Sequence, residues 1–157
     1  MCEYCGCQSV AVIDDLTREH ELVVNLIGEV RAAQRSVDVP RMARVARRIA
    51  AILEPHTEVE EQGLFPALAD EFPEQIAALT VEHRRIAAVL HEAAQDDPVD
   101  AGWPARLVEV AELLRNHILK EQDGVFPAAL VGLDAEQWDT IGAIRARVGT
   151  LLPDPSP

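Results

Sequence analysis

Apolar residues recur along this chain every three to four positions. Gly and Pro fall between the periodic stretches, so the pattern predicts helices, with no convincing run of strand alternation. The first helix is expected from about Asp14 to Arg35, with Leu16, Val23, Ile27 and Val30 in register. The second opens after Asp38 with Pro40 in its first turn, carries Met42, Val45, Ile49, Ile52 and Val59, and ends near Gly63. Pro55 is expected to kink it. The third opens at Pro73 and runs through Ile76, Leu79, Ile86 and Leu90 to about Gln95; the fourth opens at Pro104 and passes Leu107, Val110 and Leu113 to about Gly124. Helices of roughly 20 residues joined by short loops pack antiparallel, which predicts an all-α, up-down-up-down four-helix bundle. A shorter fifth helix, about Asp134 to Val148, sets Trp138, Ile141, Ile144 and Val148 on one side and is expected to cover the bundle from outside. The expected organisation is a Cys-rich N-terminal segment over 1–13, the bundle over 14–130, and the C-terminal helix with a disordered Pro-rich tail over 131–157.

The bundle is written twice. "HTEVEEQGLFP" at 56–66 returns as "HILKEQDGVFP" at 117–127, and "LTREH" at 16–20 returns as "LTVEH" at 79–83. The chain is therefore a duplicated helical hairpin, each half giving one histidine from its first helix and a His plus a Glu, four apart, from its second. All four histidines continue apolar seams: His20 with Leu16 and Val23, His83 with Leu79 and Ile86, His56 with Ile49 and Ile52, His117 with Val110 and Leu113. Glu60 and Glu121 lie about 40° around the helix from His56 and His117, on the same inward stripe. Their neighbours Glu58, Glu61, Gln122 and Asp123 are expected to point elsewhere.

Two carboxylates and four imidazoles buried without strong partners would cost several kcal/mol each. A dinuclear metal site compensates: neutral imidazoles donate nitrogen, and each carboxylate bridges two cations whose charge it offsets. Nitrogen and oxygen donors without thiolate favour iron or manganese over a tetrahedral structural zinc. A lone seam histidine is usually a satisfied core residue, and a single HxxxE merely makes a helix-surface pair; two of each in duplicate register are much harder to dismiss. His91, eight residues after His83, is rotated about 80° from it and reads as a surface residue. Thr17 and Thr80, each three before a seam histidine, can support a ligand or line a substrate pocket, or can bond back to their own helices.

These residues resemble hemerythrin-like (HHE cation-binding) domain proteins over about residues 14–130, through the order H…HxxxE…H…HxxxE with [L/V]FP after each HxxxE. The resemblance implies a non-haem centre of two iron ions with an oxo or hydroxo bridge. It puts His20 and His56 on one iron and His83 and His117 on the other, with Glu60 and Glu121 bridging. Oxygen-carrying hemerythrins have a further histidine four residues after the one matching His83, where this chain has Ala87. The ligand set is closer to that of the iron-cluster repair di-iron proteins, which use four histidines and two glutamates in this order. Each iron then keeps an open position for a diatomic or peroxide ligand, and an electron donor is a possible partner.

Composition narrows the rest. A net charge of −13 over 157 residues would repel phosphate backbones and anionic lipid surfaces, which argues against nucleic acid or membrane as a partner. No run of about 18 apolar residues exists, and the N-terminus lacks the basic and apolar regions of a signal peptide, so a cytoplasmic location is expected. Cys2, Cys5 and Cys7 are crowded into "MCEYCGC", unlike the distributed cysteines of a disulfide framework. They can form a thiolate metal site, a redox couple, an electron entry point, a dimer contact, or an inert tail. Two classes of function remain open: an oxidoreductase of oxidative or nitrosative stress defence acting on peroxide, nitric oxide or oxygen, and a module that stores, delivers or senses iron or oxygen without turnover. The catalytic machinery of the first would be the metal ligands themselves.

Overall fold

A computed structural model of the chain describes residues 6–94 and 100–153, and among these every regular element is helical. Helix α1 (Cys7–Arg35) starts well ahead of the expected Asp14. Helix α2 (Val39–Val59) opens on Asp38, whose carboxylate accepts from the Arg41 N–H at 3.1 Å, with Pro40 in the first turn where no N–H is needed. Pro55 lies inside α2 without ending it. The ladder changes at a five-residue π turn, Glu60–Leu64, before continuing as α3 (Phe65–Leu68). Helix α4 (Pro73–His91) pairs with α5 (Trp103–Lys120), which passes through a second π turn, Glu121–Val125, into α6 (Phe126–Gly132). Helix α7 (Ala135–Val148) opens on a reciprocal pair in which the Asp134 carboxylate takes the Gln137 N–H and the Gln137 amide oxygen takes the Asp134 N–H.

The four long helices form the predicted bundle and α7 lies against it, so the architecture is all-α: a four-helix bundle with a C-terminal helix. Buried apolar residues form two groups. One holds Val23, Ile27, Met42, Ile49, Trp103 and Leu107; the other holds Leu16, Leu64, Phe65, Leu79, Phe126 and Ile141. Leu114, rather than the expected Leu113, completes the inward stripe of α5. Between the two groups sits a buried polar layer, because along α1 His20 separates Leu16 from Val23 and along α2 His56 separates Ile52 from Val59. Trp138, Ile141 and Ile144 join α7 to the second group. Gly63 permits this approach: a Cβ there would stand 3.0 Å from Ile141 Cγ1, whereas one on its repeat equivalent Gly124 would meet nothing within 4 Å. Helix α7 therefore covers one half of the duplication and not the other. Among the described residues, no helix is long and apolar enough to cross a membrane.

The α1–α2 corner carries a strained residue. Val37 has φ 52°, and the bonds Val37 N–H to Gln34 C=O and Asp38 N–H to Ala33 C=O, both 2.9 Å, close the turn that usually places glycine at this position. A β-branched side chain is disfavoured in that conformation. Val37→Gly should raise unfolding free energy by roughly 0.5–1 kcal/mol, the relief of strain exceeding the added chain entropy of the unfolded state. Urea titration of the two proteins checks the sign.

Candidate metal centre

The duplication brings its six marked side chains to one place. His20, His56 and both glutamates offer donor atoms that all lie within 4.8 Å of one another, as do His83, His117 and the same two glutamates. Glu60 Oε1 lies 3.2 Å from His56 Nε2 and 3.4 Å from His83 Nε2, while Glu121 reaches His20 Nε2 at 3.1 Å through Oε1 and His117 Nε2 at 3.3 Å through Oε2. Each glutamate thus faces one histidine of its own half and one of the other. The Nε2 atoms of His83 and His117 approach to 2.9 Å.

Three of the four rings are oriented from behind. His56 Nδ1 donates to Glu19 at 3.0 Å, His117 Nδ1 to Glu82 at 2.8 Å, and His20 Nδ1 to the Gln122 amide oxygen at 3.0 Å. A proton held on Nδ1 leaves the Nε2 lone pair for a cation. His83 Nδ1 lies 3.7 Å from Glu61, too far for a hydrogen bond. Gln122 and Glu61 therefore do not point elsewhere, as their sequence position suggested: the π turns that begin at Glu121 and Glu60 carry the following residue round toward the histidine of the opposite half. In each turn a phenylalanine N–H, Phe65 or Phe126, reaches the glutamate carbonyl five residues back, and Pro66 or Pro127 follows with no N–H to continue an α ladder. The phenyl rings stack across the duplication, Phe65 on His83 and Phe126 on His20, both at 5.4 Å between centroids.

Whether a cation fits can be judged from what the layer lacks. His56 Nε2 and all four carboxylate oxygens of Glu60 and Glu121 are buried without a hydrogen-bond donor or acceptor. Such orphaned atoms, converging from two sides, are what a pair of cations would satisfy. A family model for the hemerythrin HHE cation-binding domain matches residues 11–129. The chain belongs to the hemerythrin HHE cation-binding family. No curated protein and no solved structure gave a match. In this hemerythrin domain the His and Glu groups that could hold a metal ion lie in the polar layer between the two apolar groups.

The remaining marked residues fall outside that cluster. The Thr80 hydroxyl donates to the Ile76 carbonyl of its own helix at 3.0 Å, and neither Thr80 nor Thr17 lines the cavity beside the centre. His91 is exposed at the end of α4. Cys7 is exposed at the first turn of α1, about 20 Å along the helix axis from His20. Cys2, Cys5 and the final residues of the Pro-rich tail, 154–157, lie outside the described residues. Glu19 and Glu82 escaped sequence reasoning although each immediately precedes a seam histidine; the shared "EH" of the repeat was the available signal.

Electrostatics of the layer follow from the same contacts. Burial disfavours charge on His56, but the nearby Glu60 carboxylate and the bond to Glu19 prevail and raise its pKa to about 10. His117 rises to about 9 against burial because of Glu121, Glu60 and Glu82. Burial likewise opposes the charge of Glu19, yet hydrogen bonds from His56 and Arg145 hold its pKa at about 2. Both histidines therefore carry a second proton at pH 7 in the metal-free protein, and a cation must displace it. Cobalt(II) added to metal-free protein in weak buffer at pH 7 should release protons, and apparent affinity should climb roughly tenfold or more per pH unit between pH 6 and 8. A pH-independent affinity across that range would show the rings to be neutral beforehand.

Proposed function

We propose that His20, His56, Glu60, His83, His117 and Glu121 hold two irons, and that the protein consumes a small oxidant, peroxide or nitric oxide, in oxidative or nitrosative stress defence in the cytoplasm. The observation that supports this reading is a cavity of about 210 Å³ that runs from the surface between α2 and α4 to all six residues. That volume is below the roughly 300–1,000 Å³ of pockets for larger organic ligands, and it suits a diatomic molecule or peroxide. Irons bound there would supply Lewis-acid and redox chemistry.

The chain's own residues set the access. Exposed Glu54 and His91 stand at the mouth, and Leu53, Ile86, Leu90, Leu114 and Ile118 make an apolar wall that keeps bulk water from the ligands. Ala87 lines the same cavity one turn after His83, and its methyl leaves open the space an imidazole would fill. Glu19, Glu82 and Gln122 orient three of the rings, and Phe65 and Phe126 cover two. An external electron donor completes a turnover cycle.

Purified protein should hold about two irons per chain and consume peroxide or nitric oxide with a donor present. Glu60→Ala or Glu121→Ala should each lower the iron count; full occupancy in either variant, by elemental analysis, defeats the ligand assignment. Iron that is retained without consumption of either oxidant would instead favour storage, delivery or sensing.

Ala87→His tests the access argument separately. The added ring should narrow the cavity and slow oxidant consumption about tenfold or more while iron content stays at two. Unchanged turnover with both irons present would show that the space beside Ala87 does not control access.

A further inference from the structure

The two halves of the centre use equivalent residues but brace them differently. Glu19, 1% exposed, accepts from His56 Nδ1 at 3.0 Å, from Arg145 Nη1 at 2.9 Å and Nη2 at 2.8 Å, and from the Thr150 hydroxyl at 2.7 Å. Arg145 reaches in from α7, is itself 8% exposed, and has its Nε 3.8 Å from Asp15. On the other side Glu82 takes His117 at 2.8 Å and Lys120 Nζ at 2.7 Å, with the Lys120 side chain 54% exposed. A two-pronged guanidinium–carboxylate pair fixes the carboxylate in orientation as well as charge. An exposed lysine contact is screened and mobile, and fixes little.

We propose that Arg145 is a positioning residue of the metal centre: through Glu19 it locks the His56 ring with Nε2 turned inward, and so makes the His20–His56 position release its metal more slowly than the His83–His117 position. A ring already held in place loses less freedom on binding, and a carboxylate behind it strengthens the donor nitrogen; loss of such a partner typically costs about 10–100-fold in metal affinity. Because α7 covers only one half of the duplication, nothing in the repeat itself supplies this brace twice. The inference rests on the two-iron reading above and deepens it.

The test loads the whole chain with iron(II) without oxygen and follows its capture by an excess of a coloured iron(II) chelator. Wild type should release its two irons in two phases of equal amplitude. Arg145→Met, which keeps the apolar stem and removes the fork, should speed the slow phase roughly 10–100-fold and leave the fast phase in place. Thr150→Val should speed the slow phase by a smaller factor, and it decides the matter if Arg145→Met does not fold. Lys120→Met should change the fast phase no more than about threefold. A merely structural role for Arg145 would lower the melting temperature and speed both phases together, which overturns the proposal, as does release in a single phase by wild type. Fewer than two irons in wild type defeats the two-iron reading; two irons with phases unmoved by Arg145→Met and Thr150→Val defeat this inference alone.

Discussion

Six ionisable side chains buried in one layer of an apolar bundle are the constraint on which the rest of this structure depends. Left to themselves, Glu60 and Glu121 expose four unpartnered oxygens to a medium that solvates them poorly. The protein does not relieve this with internal donors. It surrounds the layer with apolar groups above and below, turns three histidines so that Nδ1 is occupied and Nε2 faces the centre, and leaves the centre's demand to be met from outside. A bundle arranged this way gains folding free energy from whatever cation it takes up.

Much of this was legible in the sequence because helix periodicity reports direction on a single helix. His20 between Leu16 and Val23, and Glu60 one turn after His56, could only share the inward face if their segments were helical. What one helix does to its neighbour was less legible. α-Helical counting turns Gln122 away from the inward stripe, but the π turn that Pro127 helps to enforce shifts the phase by the fraction of a turn that brings it to His20. Arg145 was beyond reach for another reason: it belongs to α7, which has no counterpart in the repeat, so no internal comparison could mark it.

Duplication usually suggests equivalence, yet the two copies differ in their outer contacts. Gly63 lies flat beneath Ile141 and its equivalent Gly124 faces open space; Glu19 is sealed by Arg145 and Thr150 while Glu82 shares its charge with exposed Lys120. The inner residues are held to the pattern by the layer they form together. The outer ones diverge because only one copy is covered by a further helix.

The crossed stacking of Phe65 on His83 and Phe126 on His20 makes the two hairpins depend on each other. Neither hairpin can finish its own floor: each lends its ring, and one glutamate oxygen, to the histidine of the other. A layer built by such mutual lending exists only while both hairpins are held together. The short connection between Leu68 and Pro73 keeps that partnership within one molecule.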